Sequence, residues 1–142
     1  MILVDANLLI YAATECREQA SAKAWLDAQL SSGARVGLPW ASLTTFLRIV
    51  TNARIYGTGA AQTQVAWNVV RGWLDCGNVW IPQPTSRHAE VLGELLKAGR
   101  VAGDLVQDAD LAALAIEHGL TIYSSDSDFA RFGGVKWVNP LV

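Results

Sequence analysis

Residues 1–12 read MILVDANLLIYA. Two apolar runs, Met1 to Val4 and Leu8 to Ala12, meet at a carboxylate, Asp5. A short β-prone run passing into a longer helical pattern is how a strand hands over to a helix in a buried parallel sheet. Asp5 stands at the handover. An ionised acid there is costly unless a cation or hydrogen-bond donors compensate it.

The same alternation continues outward. Further β-type runs are RVGLP from Arg35, NVWIP from Asn78, LTIYS from Leu120 and VKWV from Val135. Between them the spacing turns helical: Ala22, Leu26 and Leu30; Leu43, Leu47 and Thr51 with Phe46 and Val50 beside them; Val65, Val69 and Trp73; Ala89, Leu92, Leu95 and Leu96. DADLAALAIEHG reads as a helix with Asp108 at its N-cap and Gly119 just past its end. Strands alternating with helices predict a mainly parallel sheet covered on both faces. The breaks at Gly57-Thr58-Gly59, Pro82-Gln83-Pro84 and Gly133-Gly134 read as loops, so one domain over 1–142 is expected.

Bulk properties exclude several functions. Eleven basic and thirteen acidic side chains leave a formal charge of −2, so any polyanion must be met locally and not by a global field. Cys16 and Cys76 form no C-x-x-C pair, which argues against a zinc site and a disulfide framework. No apolar stretch reaches the roughly 18 residues of a membrane span, and no secretory signal opens the chain; a soluble, cytoplasmic protein is expected.

In open parallel sheets, ligands collect beyond the carboxyl ends of the strands. Asp5 follows the first strand, Asp126 and Asp128 in IYSSDSDF follow the fourth, and Asp108 heads the helix leading into the fourth. Each has a plainer explanation: Asp5 and Asp108 as helix caps, Asp126 and Asp128 as turn residues. Their joint position tips the balance, because acids crowded at one edge need a cation. All the donors are oxygens, which suits Mg²⁺ or Mn²⁺, and a hard divalent ion can activate water and offset charge building on a phosphodiester.

VDANLLIYA, GLPWASLTTFLRIVTN, DADLAALAIEHG and IYSSDSDFARF together resemble the PIN-domain ribonucleases, and more narrowly the VapC toxins of bacterial VapBC toxin–antitoxin pairs. The resemblance covers nearly the whole chain, through the closing WVNPL. It implies a three-layer α/β/α sandwich, a Mg²⁺- or Mn²⁺-dependent endoribonuclease acting on structured RNA such as tRNA or rRNA, inhibition by a VapB-type antitoxin, and a homodimer. Residue by residue, it implies metal binding by Asp5, Asp108 and Asp126, with Asp128 as a supporting catalytic carboxylate and Arg48 as a basic residue near the site.

One departure stands out. Many members of that family carry a Glu on the second helix in a T-x-x-E-L context, where this chain has Thr45 followed by Phe46. A hydroxyl can contact substrate or a metal-bound water but supplies no charge. The alternative reading is therefore a weak or inactive RNA- or antitoxin-binding module. Asp128 is the preferred stand-in for the missing acid; Asp104 lies in the loop ahead of Asp108, and Asp110 is expected to face away.

Other features point less far. An aspartyl-phosphate phosphatase would want a second acid two residues after Asp5, where Asn7 stands. His118 suits a helix C-terminus and His88 has no visible partner in the sequence. The six tryptophans are explained by packing or an interface, with RNA stacking conceivable for one of them. An apolar groove for the antitoxin is expected from Trp67, Val70 and Trp73 or from Phe46 and Ile49.

Overall fold

The computed structural model describes residues 1–98 and 100–142. Five strands, β1 (Ile2–Val4), β2 (Val36–Gly37), β3 (Val79–Trp80), β4 (Thr121–Tyr123) and β5 (Lys136–Val138), form one sheet in the order β3-β2-β1-β4-β5. Every pairing is parallel. The helices are α1 (Ala6–Ala13), α2 (Gln19–Ser31), α3 (Trp40–Val50), α4 (Ala53–Tyr56), α5 (Thr63–Leu74), α6 (His88–Ala98) and α7 (Leu105–His118). The expected alternation of strands and helices is present.

Successive strand residues point to opposite faces, and both faces are buried. Leu3 and Ile122 belong to a cluster with Val91 and Leu95 of α6, the alanine-rich face of α7, and Phe129 and Phe132. Val4 belongs to the other, with Leu8 and Leu9 of α1, Leu26 of α2, Phe46 and Val50 of α3, and Ala66 and Val70 of α5. Helices thus cover both faces of the sheet, the three-layer α/β/α arrangement. Alanines at 109, 112, 113 and 115 bring α7 close to the sheet, since a helix face without long side chains packs at short range.

Gly37 is required by a separate close approach, within the sheet. A Cβ there would stand 2.9 Å from Pro82 Cγ and 3.0 Å from the Ile2 carbonyl oxygen, so β2 fits between its neighbours only as glycine. Gly119 ends α7 in the left-handed conformation, φ 67°, as its position predicts.

Helix α1 begins at Ala6, directly after Asp5. Several local expectations shift. On α5 the buried stripe is Ala66 and Val70; Val65 is 54% exposed, because short Ala66, not Val65, faces α3. On α6, Ala89 is exposed and Val91 takes the core position. Of the residues expected to feed an apolar groove, Val70 is in the core, whereas Phe46 lines a cavity of about 450 Å³ between α1, α3 and α5 together with Val50, Tyr56, Val65 and Val69.

His88 does have partners. Its Nδ1 meets Oε2 of Glu117, and its Nε2 lies 2.8 Å from Oδ1 of Asp110, so the imidazole ties the start of α6 to α7. Asp110 faces α6 together with Glu117 as a result, and stands outside the carboxylate group that contains Asp108. The tryptophans mostly pack: Trp25 stacks on Tyr123, Trp73 meets Phe46 edge-on, Trp80 meets His118, and Trp40, 40% exposed, stacks on Trp67. No helix among the described residues is long and apolar enough to cross a membrane.

Candidate active site

The pairing of β1 with β4 puts Val4 opposite Tyr123, so the residues that follow, Asp5 and Ser124, emerge side by side at the carboxyl edge of the sheet. Asp5 is both a cap and a site residue. Its Oδ1 accepts the N–H of Ala6 at 2.8 Å, and its Oδ2 accepts the Ser124 hydroxyl at 2.7 Å. Burial raises its pKa; those two hydrogen bonds pull it back, and the charge of Asp126 raises it again.

Ser124 organises this edge, and the sequence reading missed it. It is wholly buried, and its Oγ accepts the N–H of Asp126 at 3.0 Å and the side-chain amide of Asn7 at 3.1 Å while donating to Asp5. Asn7 also accepts the Ser125 N–H at 3.4 Å. The available signal was the pairing of D-A-N after one strand with S-S-D-S-D after its neighbour, which makes sense only once the two strands are known to be adjacent.

Asp126 caps a 3-10 turn over Ser127–Arg131, its Oδ1 accepting the Asp128 N–H at 2.9 Å. The turn role expected for this D-x-D is present. It also aims both acids at one place: Asp108, Asp126 and Asp128 each present a carboxylate oxygen within 4.8 Å of the others.

Asp108 reaches this place from a position different from the expected one. Helix α7 starts at Leu105 with Asp104 in the N-cap position, and Asp108 lies one turn inside. Gly103, at φ 60°, turns the chain early enough for an extra helical turn to form ahead of Asp108. Freed from capping, the Asp108 carboxyl is pushed up to about 7, first by burial and then by the charges of Asp5, Asp126, Asp128 and Asp104.

The acids therefore gather, with one difference from expectation. The tight trio contains Asp128; Asp5 lies outside it with both oxygens hydrogen-bonded, yet close enough for its charge to act on Asp108. Arg48, Asp104 and Arg131 line the same opening as the trio. Thr45, on the third helix and not the second, borders a neighbouring cavity with Asp5 and Asp108, and its Oγ1 accepts a 3.0 Å hydrogen bond from Gln107. Three carboxylates offering only oxygen, one of them held back from ionising by burial and then by its neighbours' charge, fit a hard divalent cation.

Comparison with known proteins shows the family. The PIN domain family profile matches residues 2–135. Ribonuclease VapC37 of Mycobacterium tuberculosis (strain ATCC 25618 / H37Rv) is 41% identical over 145 residues, covering 99% of this chain and 97% of that protein. Ribonuclease VapC33 of the same strain is 41% identical over 143 residues, covering 99% of each. Among solved structures, Mycobacterium tuberculosis VapC20, a Sarcin-Ricin loop cleaving toxin, superposes with a TM-score of 0.67 at 20% identity over 96% of this chain and 99% of that one. VapBC2 from Rickettsia felis bound to a promoter DNA fragment gives 0.69 at 18% identity over 98% of each chain, a likeness of fold. By sequence over its whole length and by fold, the chain belongs to the PIN-domain family, among the VapC ribonucleases.

Proposed function

We propose that the chain is a toxin endoribonuclease that hydrolyses phosphodiester bonds in structured RNA such as tRNA or rRNA, using Mg²⁺ or Mn²⁺, and that a VapB-type antitoxin restrains it. The observation that carries this is the convergence of Asp108, Asp126 and Asp128 at the carboxyl edge, with Asp5 beside them.

Asp108, Asp126 and Asp128 would hold the cation. When bound, it would supply Lewis acidity toward a phosphoryl oxygen and lower the pKa of a bound water. Ser124 and the Ala6 N–H orient Asp5, whose negative charge completes the field felt by Asp108. Arg48 and Arg131, bordering the same opening, bind the flanking phosphates through their guanidinium forks. Thr45 removes one expected charge, but Asp128 restores the count of three clustered carboxylates, which favours an active enzyme over a merely binding module.

For partner and assembly, family membership supports a cognate antitoxin and a homodimer. The cavity between α1, α3 and α5 is the apolar surface available for the antitoxin's segment.

The test is degradation of a tRNA and rRNA mixture by the purified, antitoxin-free protein. Mg²⁺-dependent cleavage, abolished in Asp5→Ala and Asp126→Ala, supports the reading. RNA left intact by wild type in Mg²⁺ and in Mn²⁺, or cleaved equally by both variants, overturns it.

A further inference from the structure

Beside the acidic opening lies a second cavity, of about 290 Å³, between α1, α3 and α7. Its inner wall is apolar, formed by Ile10, Ile49 and Leu111, and its mouth carries Thr45, Gln107 and Asp108. Gln107 and Asp108 border both cavities, so a group entering this one is continuous with whatever sits at the acids.

Charge selects which part of a nucleotide that is. Asp5 and Asp108 line the cavity, and no Lys or Arg does among the described residues, so nothing in it pairs with a phosphate. A neutral, flat group needs no such partner. The volume lies at the lower edge of the roughly 300–1,000 Å³ of small-ligand sites, room for one ring system and not for a folded segment.

The polar rim is suited to reading such a group. Gln107 donates from Nε2 to Thr45 Oγ1 at 3.0 Å, which fixes the amide plane. That leaves the amide oxygen and the second amide hydrogen, a neighbouring acceptor and donor of the kind that pairs with a base edge.

We propose that this cavity receives one unstacked base flanking the scissile phosphate, with Ile10, Ile49 and Leu111 against its faces and Gln107 at its edge. The assignment rests on the ribonuclease reading above and adds to it a base-selective subsite. Gln107, held by Thr45, is then a specificity residue in this chain, at the place where its sequence departs from the acidic pattern.

The experiment measures kcat/KM in Mg²⁺ on stem-loop oligoribonucleotides, cut by wild type within the loop, that are identical except for the unpaired nucleotides on either side of the cut. Each position carries one of the four bases or an abasic site. Wild type is expected to cleave its preferred base roughly tenfold better than the abasic substrate at one of the two positions. Gln107→Leu is expected to level the four bases, and Ile49→Trp, which fills the cavity, to bring the base-to-abasic ratio toward one. Gln107 is exposed, so its variant decides the matter even if Ile49→Trp does not fold. RNA left uncut by wild type defeats the ribonuclease reading itself. Normal cutting with wild-type base ratios in Gln107→Leu defeats the subsite alone, as does a loss of antitoxin affinity in that variant with the ratios unmoved.

Discussion

The Ser124 hydroxyl donates to Oδ2 of Asp5 at 2.7 Å, joining residues 119 positions apart in sequence. Because the Ser124 Oγ also accepts from Asn7 and from the Asp126 N–H, one buried atom sets both the first acid and the loop that carries Asp126 and Asp128. Ser124→Ala leaves three polar groups short of a partner. The expected cost is about 1–3 kcal/mol in urea unfolding. The Asp5 pKa should rise further, because one of the hydrogen bonds holding it down is gone; carboxyl NMR titration would read that directly. An unchanged unfolding midpoint would show that the serine is dispensable.

Divalent cations should stabilise the fold through the same edge. At 100-fold over its dissociation constant a ligand adds about 2.7 kcal/mol, enough to raise the thermal midpoint by several degrees. The pH dependence has a definite sign. In the metal-free chain the raised Asp108 pKa favours folding at low pH, and that contribution is lost as pH rises from the ordinary 3.8 to about 7. Cation binding needs the ionised carboxylates, so the Mg²⁺-induced shift should be small at pH 5.5 and largest at pH 8. Asp126→Asn and Asp128→Asn should each shrink it, and chelation should reverse it. Equal shifts at both pH values would count against the site.

Arg48 is exposed at the rim of the acidic opening, so its removal should spare the fold and weaken RNA. In an Asp126→Asn background, Arg48→Ala should lower affinity for single-stranded RNA about equally across sequences. It should also reduce the slope of log K against log salt by about one. Fluorescence anisotropy at a series of KCl concentrations checks both. A preserved slope would remove Arg48 from the phosphate path.

The α6–α7 connection should be sensitive to pH. Glu117 has no exposed side-chain surface, and it accepts from Thr85 through N–H and Oγ1 as well as facing His88. Burial opposes the imidazolium, but hydrogen bonds to Glu117 and Asp110 outweigh it and raise the His88 pKa. Burial likewise opposes the Glu117 carboxylate, and its bonds to Thr85 and His88 lower its pKa overall. With His88 raised above 6.5, its contribution is complete below that value and lost as pH climbs through the folded pKa. With Glu117 lowered from 4.5, its contribution is complete above that value and lost as pH falls through the folded pKa. Stability supplied by the pair should thus peak between about pH 4.5 and 6.5. His88→Ala should cost about 2–3 kcal/mol at pH 6 and less at pH 9, by urea unfolding at both.

The order of strands and helices was readable in the sequence because it rests on local spacing. Short β-type apolar runs and period-four apolar patterns identified the elements around Leu3, Leu26, Leu43 and Ile122, and the acids just beyond Val4 and Tyr123 fell at strand ends by counting along the chain. Where one residue of phase mattered, the pattern failed. Val65 and Ala66 are equally apolar, and only the distance to α3 decides which is buried.

The sequence by itself determined that acids, hydroxyls and amides stand at the carboxyl ends of β1 and β4, because a residue's place along a strand is a matter of chain position. Tertiary structure alone decided which atoms meet. The adjacency of β1 and β4 makes Ser124 a shared partner for Asp5, Asn7 and Asp126; the early turn at Gly103 releases Asp108 from capping; the packing of α6 on α7 sets His88 between two carboxylates. Hydrogen bonds and charge coupling fall off within a few ångströms, whereas sequence spacing specifies only direction along a strand or around a helix.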